Sequence, residues 1–191
     1  MNILSIDVGI RNLAYVIIQV NDLDKHTILR WDVLELIEPH EIAAKVDNAK
    51  IGKSLYIQFD DVLKDQHIDK ILIENQIGQN AIKMKTIQGM INMYFIMRNY
   101  ELDSILNYNA VHKLKPFLKD QKSTYAERKK KSKEITHCLC KHYYGEEMLE
   151  FYCSYKKKDD LADCLLQALD FIRKKDQLST MFYETIYNEI S

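Results

Sequence analysis

The sequence predicts an α/β domain built on a five-stranded mixed sheet, its first three strands antiparallel and its last two parallel, flanked by helices. Three observations carry this. Apolar, β-branched runs at 2–6, 13–20 and 27–36 follow one another across short polar turns, as an antiparallel meander requires. The period then changes: Ile51, Leu55, Phe59 and Val62 recur at helical spacing and make one face of a segment over 47–64 apolar. Two further strand-like runs, "DKILIENQ" ending in Glu74 and 104–108, are joined through helical patterns, and strands connected in that way lie parallel.

The elements follow in order. The first run stops at Asp7, and Gly9 in "SIDVGIRNLAY" turns the chain into the second. After Glu74 a loop through Gly78 leads to a helix over 81–99, and after the fifth strand come helices over 109–118, 127–143 and 159–174, with a tail helix beyond 179. Residues 119–126 read as a mobile loop. No repeat or linker divides the 191 residues, so a single domain over 1–191 is expected, with an additional helical tail from about 178. This order is the ribonuclease H-like arrangement. Its right-handed crossovers place the end of strand four beside strand one, making neighbours of Asp7 and Glu74.

Composition narrows the function classes. No apolar stretch reaches the roughly 20 residues of a membrane span, and the first strand begins at Asn2, so no targeting segment is expected and the chain should stay soluble and intracellular. Four cysteines scattered among helical patterns suit a reducing compartment. "HCLCKH" has no matching second half and is not read as a zinc site. The net charge of −1 hides a basic segment: residues 113–133 hold 9 basic side chains against 2 acidic, which suits contact with a polyanion or, more plainly, a solvated helix face.

The third acidic element is "KKKDDLADCLLQALDFI". Asp160 and Asp163 lie three apart on one face of the predicted helix, away from the apolar face of Leu161, Leu165, Ala168 and Ile172. Capping of the helix start would explain one carboxylate, and Asp159 is the expected cap. Asp7, Glu74, Asp160 and Asp163 then form a set of hard oxygen donors suited to Mg²⁺, with Mn²⁺ able to substitute. Two such ions roughly 4 Å apart activate a water and stabilise the leaving oxygen in phosphodiester hydrolysis.

On the motifs "SIDVGIRNLAY", "ILIENQ" and "KKKDDLADCLLQAL" the chain resembles the RuvC-like Holliday junction resolvases, over roughly residues 2–171. "YAERKKKSKEI" makes it most similar to the poxvirus-type and fungal mitochondrial branches. The resemblance implies a homodimer in which each subunit nicks one of two opposed strands of a four-way junction in branched DNA, with two metal ions held by Asp7, Glu74, Asp160 and Asp163. A viral source, with a cytoplasmic or viral replication site, fits the same branch. The alternative is a related nuclease acting on flaps, RNA–DNA hybrids or RNA precursors. A sugar-kinase or actin-type ATPase shares the opening strand and Asp-x-Gly turn but is duplicated and far longer, so no nucleotide cofactor is expected. A binding module without activity would not need four carboxylates.

Further residues are expected to touch DNA: Arg11 in the first hairpin, Gln76 on the same side as Glu74, and the lysines Lys129, Lys130, Lys131, Lys157 and Lys158. Tyr143, Tyr144, Phe151, Tyr152 and Tyr155 offer stacking surfaces or, equally, core filling. The helix after Gly78 carries one apolar stripe at Met84, Ile87, Ile91 and Tyr94, with Phe95 beside it, and a second at Met90, Met93 and Met97. One stripe packs on the sheet; the second, with Met84 at its edge, is expected to form the subunit interface or to meet another helix of the chain.

Overall fold

In the computed structural model, β1 (Asn2–Asp7), β2 (Leu13–Asp22) and β3 (Lys25–Leu34) pair antiparallel in succession. β4 (Lys70–Glu74) and β5 (Ile105–Tyr108) extend the sheet parallel to β1, giving the order β3-β2-β1-β4-β5. The structure describes residues 1–78, 81–110, 113–118 and 124–190.

β1 is apolar on both sides because both sides are covered. Leu4 and Ile6 face a layer made by α1 (Asn48–Leu63) and α2 (Ile82–Met97), where Ile51, Leu55, Phe59, Ile87, Ile91 and Phe95 are buried. Ile3 and Ser5 alternate to the opposite face, as a pleated strand dictates, and meet α6 (Lys158–Lys174). Around α6 stand α4 (Tyr125–Leu139), α5 (Gly145–Ser154) and α7 (Thr180–Ile190), the last being the expected tail helix. At the β1–β2 turn an added Cβ on Gly9 would lie 2.0 Å from the Asn12 carbonyl oxygen, so the turn after Asp7 admits only glycine. No described helix is long and apolar enough to cross a membrane.

Caps and breakers set the boundaries. Asp47 caps α1, its carboxylate accepting from the Ala49 amide at 2.7 Å. Thr124 and Glu127 form a reciprocal capping box that starts α4, so the loop expected over 119–126 already ends there, while its residues 119–123 lie outside the described residues. Of the helix expected over 109–118, the described residues that are helical are α3 (Lys115–Leu118), with Pro116, which lacks an N–H, in its first turn, and residues 111–112 lie outside the described residues. The helix expected over 127–143 stops at Leu139 and passes through a π-helical turn (Cys140–Tyr144) to Gly145, whose positive φ of 84° starts α5, an element the periodicity did not predict. β3 ends at Leu34, two residues early, although Leu36 and Ile37 stay buried under α1.

The aromatic candidates for base stacking are structural. Tyr152 stacks on Trp31 at 5.5 Å, Phe151 packs beside that pair, and Tyr155 packs on Phe151 and donates to Asp32. Tyr143 and Tyr144 sit against the α6-side core, with Tyr143 4.5 Å from Phe182. On α2, Ile87, Ile91, Tyr94 and Phe95 pack on the sheet as expected and Met84 is half-buried beside them. Met93 and Met97 remain 52% and 71% exposed. With Met90, Gly52, Leu55 and Tyr56 they line an open apolar groove of about 450 Å³ between α1 and α2.

Candidate active site

The parallel ladder places the first two carboxylates. Ile6 pairs with Ile73, so the next residues, Asp7 and Glu74, leave the sheet side by side at its carboxyl edge and both point towards α6. Asp160 and Asp163 stand on the first turns of α6, three residues apart on one face. All four line one cleft of about 580 Å³, together with Gln76, Lys113, Tyr125 and Lys129.

Crowding of negative charge shows in the proton affinities. Burial pushes the Asp7 carboxyl well above the usual carboxylate range, and the nearby charge of Glu74, a hydrogen bond shared with Glu74 and the charge of Asp163 push it further. Asp160 is raised by burial and by Asp159. A cation stands inside this cluster. Lys113, 13% exposed, puts its Nζ 2.7 Å from Asp163 Oδ1. Burial alone would lower its ammonium, but Asp163, Asp7 and Glu74 outweigh that and hold it above its ordinary value. Sequence reasoning counted Lys113 only within the basic segment. Its place just beyond β5, at the same edge of the sheet as Glu74, was the signal available.

Polar residues around the cluster orient it. The Gln76 amide donates to Glu74 Oε2 at 2.9 Å, while its backbone N–H donates to Gln88 Oε1 of α2 at 3.0 Å. Asp159 does not cap α6 as expected, since Lys157 occupies the cap position; its carboxylate accepts from Lys129 Nζ at 2.6 Å instead. Among the described residues no three His, Cys, Asp or Glu side chains are already drawn around one ion-sized point. The donor chemistry nevertheless fits a divalent cation. Oxygen-only carboxylates, one of them half-buried and destabilised as an anion, are what Mg²⁺ or Mn²⁺ compensates.

The other candidates are dispersed. Lys129 borders the cleft and lies 5.5 Å from the Tyr125 ring, whereas Lys130 is exposed and Lys131 bonds the Ile190 carbonyl and Glu134 on a different side of α4. Lys157 lines a groove with Asn12 and Tyr155, and Lys158 lines a pocket of mixed charge with Lys131, Lys133, Glu134 and Glu189. Arg11 spends its guanidinium on the carbonyls of Glu38, Pro39 and Glu41, pinning the loop after β3. Cys138 and Cys140 of "HCLCKH" are buried free thiols.

A stability test follows from the Asp7 carboxyl. A carboxyl whose folded-state proton affinity is raised costs stability when ionised; the cost is full above the folded-state pKa and vanishes as pH falls to the ordinary carboxylate range. Asp7→Asn should therefore melt higher than the natural protein at pH 8 without divalent metal, with the gap closing towards pH 4. Calorimetry in chelator across that range checks it; equal melting temperatures at pH 8 would contradict it.

Comparison with known proteins agrees with this architecture. The chain is similar to the Fowlpox virus resolvase solved with Holliday junction DNA (TM-score 0.67, 18% identity, covering 92% of this chain and 99% of that one). It is also similar to the yeast mitochondrial Holliday junction resolvase Ydc2 (TM-score 0.65, 17% identity, 99% and 86%) and to RuvC of T. thermophilus with a Holliday junction substrate (TM-score 0.60, 15% identity, 92% and 96%). At these identities the likeness establishes the fold, a five-stranded ribonuclease H-like sheet with helices on both faces. An uncharacterized protein of Acanthamoeba polyphaga mimivirus is 30% identical over 128 residues, which take in 56% of this chain, and the chain spans only 30% of that relative's length. The family described as Poxvirus A22 protein matches residues 1–175, which takes in β1 to β5 and all of α6, and the chain therefore belongs to the poxvirus A22 protein family.

Proposed function

We propose that this chain is a structure-selective DNA endonuclease that resolves four-way (Holliday) junctions by paired, symmetric nicks. The observation that carries the reading is the meeting of Asp7, Glu74, Asp160 and Asp163 from β1, β4 and α6 in one cleft, around Lys113 and beside the basic helix α4. Membership of the poxvirus A22 family and a fold shared with three junction resolvases support the substrate class.

Asp7, Glu74, Asp160 and Asp163 are the residues that would hold Mg²⁺, with Mn²⁺ as a substitute. When bound, the metal supplies an activated water and charge stabilisation at the phosphate. Lys113 keeps a positive charge inside the cluster and neutralises part of the charge on an entering phosphate. Gln76 fixes one Glu74 oxygen by hydrogen bonding, so that the other is presented to the cleft. Tyr125, 66% exposed at the rim, offers a face for an unpaired base. A reducing intracellular compartment suits the four free cysteines. Two nicks on opposed strands need two sites related by a two-fold axis, which a homodimer supplies. The α1–α2 groove at Met90, Met93 and Met97 is assigned as its interface, with Met84 at the margin.

The deciding experiment incubates the protein with labelled four-way junction, flap, duplex and RNA–DNA hybrid, with Mg²⁺ and with chelator. Paired cuts in the junction that need the metal are expected; preferential cleavage of flap or hybrid would move the assignment to a related nuclease.

Affinity should come from phosphate contacts. Replacing Lys129, Lys130 and Lys131 with alanine is expected to weaken junction binding and flatten its salt dependence by up to about 0.9 log unit per lost contact. Binding isotherms at several salt concentrations measure the slope, and an unchanged slope would remove these lysines from the DNA contact.

A further inference from the structure

Beneath the cleft, the α6 face of the sheet buries two polar residues in an apolar layer. Ser5 of β1 and Gln167 of α6 are 0% and 1% exposed. The Gln167 amide donates to Ser5 Oγ at 3.0 Å and to the carbonyl oxygens of Ile6 and Leu72 at 3.3 Å each. The Ser5 hydroxyl donates in turn to the Cys164 carbonyl at 2.8 Å. Each backbone partner is close to a carboxylate along the chain: Ile6 precedes Asp7, Leu72 lies two residues before Glu74, and Cys164 follows Asp163. Gln167 itself sits one helical turn beyond Asp163. A single side chain thus ties together the three elements that carry the cluster.

The core does not need this arrangement. A buried amide is costly unless bonded, and exchanging a whole hydrogen-bonded set for apolar groups of similar shape is often close to neutral for folding. The contacts of Leu161, Leu165, Ala168 and Ile172 with the sheet are non-directional, and the other directional bonds from the sheet to α6, from Trp31 Nε1 to the Leu161 carbonyl at 3.2 Å and from Tyr108 to Asp170 at 2.8 Å, come from β3 and β5, so they do not set α6 against β1 and β4. Hydrogen bonds have a fixed length and angle. Ligands shared between separate elements must be held within about 0.5 Å of their working geometry. We propose that Ser5 and Gln167 are positioning residues, a buried polar clip that fixes α6 against β1 and β4 so that Asp160 and Asp163 meet Asp7 and Glu74 around a divalent cation. This rests on the reading of the cleft as a metal site.

The test uses the full chain carrying Ser5→Ala with Gln167→Met, and a second variant with Gln167→Met alone, which keeps the Ser5–Cys164 bond. Mn²⁺ binding is measured directly by electron paramagnetic resonance in the absence of DNA. A fall in Mn²⁺ affinity of about 10- to 100-fold is expected for the double variant and a smaller one for the single. The metal concentration for half-maximal junction cleavage should rise in parallel. Junction affinity in chelator should stay within about twofold, because the phosphate-contacting lysines are untouched. Should the double variant fail to fold, the single variant decides. Unchanged Mn²⁺ affinity in a folded variant, or a loss confined to junction affinity, overturns the clip alone. If the natural protein binds no Mn²⁺, the metal reading of the cleft falls, and the clip with it.

Discussion

Asp7→Asn should lower junction cleavage by about 10³-fold or more while leaving junction affinity within about twofold, because loss of an outer-sphere partner of a metal ligand already costs 10–100-fold and a ligand itself costs more. Asp7 has its proton affinity raised by burial first and by Glu74 next. Asparagine keeps its shape and removes the charge that a divalent cation needs. On the proposed reading affinity comes from lysine contacts to phosphates, and in chelator the neutral side chain would remove like charge from the phosphate path. Corresponding changes at Glu74, Asp160 and Asp163 should also give large losses. Asp159→Asn should be mild, since that carboxylate faces Lys129. Single-turnover cleavage beside equilibrium binding separates the two quantities. A near-normal cutting rate for Asp7→Asn would remove the carboxylate cluster from the chemistry.

Met93→Glu combined with Met97→Glu should convert a dimer into a monomer at micromolar concentration and abolish paired cutting. Both side chains are more than half exposed, so the substitutions leave the sheet-facing stripe of Ile87, Ile91 and Phe95 intact and the monomer should fold. Met90 is a poorer site for the test: it lies against Gly52 on α1, where a charge would strain the monomer itself. In a self-complementary interface each substitution enters twice, placing four carboxylates in an apolar groove, and such charges repel and resist desolvation. Junction affinity should fall by about 100-fold or more as bivalent contact is lost, and any remaining nicks should be single and uncoupled. Light scattering and a cruciform plasmid assay, which distinguishes linear from nicked product, provide the readouts. A natural chain that is monomeric yet makes paired nicks would discard the groove as an interface.

Much of the fold was legible because its signals are local. The alternation in β1 and the spacing of Ile51, Leu55, Phe59 and Val62 are dictated by the periods of strand and helix, which do not depend on distant residues. Boundaries were less legible where a special residue or turn intervenes. Pro116 places the first turn of α3 at Lys115 instead of residue 109, and the π-helical turn before Gly145 redirected a helix that the pattern continued to residue 143. Tyr143, Tyr144, Phe151, Tyr152 and Tyr155 looked alike as residue types, and only their packing against Trp31, Asp32 and Phe182 identified them as structural.

That Asp7, Glu74, Asp160 and Asp163 would meet in one cleft was legible in the sequence because they lie at the ends of strands or in the first turns of a helix whose type and order are set by pattern, and parallel pairing then leaves Asp7 and Glu74 little choice but to be neighbours. The partners of those carboxylates were decided by tertiary structure alone. Lys113 meets Asp163 across 50 residues, Lys129 meets Asp159 across 30, and Gln167 reaches Ser5 across 162. No periodicity connects residues so far apart in the chain. Which lysine enters the carboxylate cluster, which one neutralises its neighbour and which amide pins the helix to the sheet depend on how β5, α4 and α6 dock. That docking is governed by non-directional apolar burial, which sets where elements lie without marking, in the sequence, which polar groups will meet.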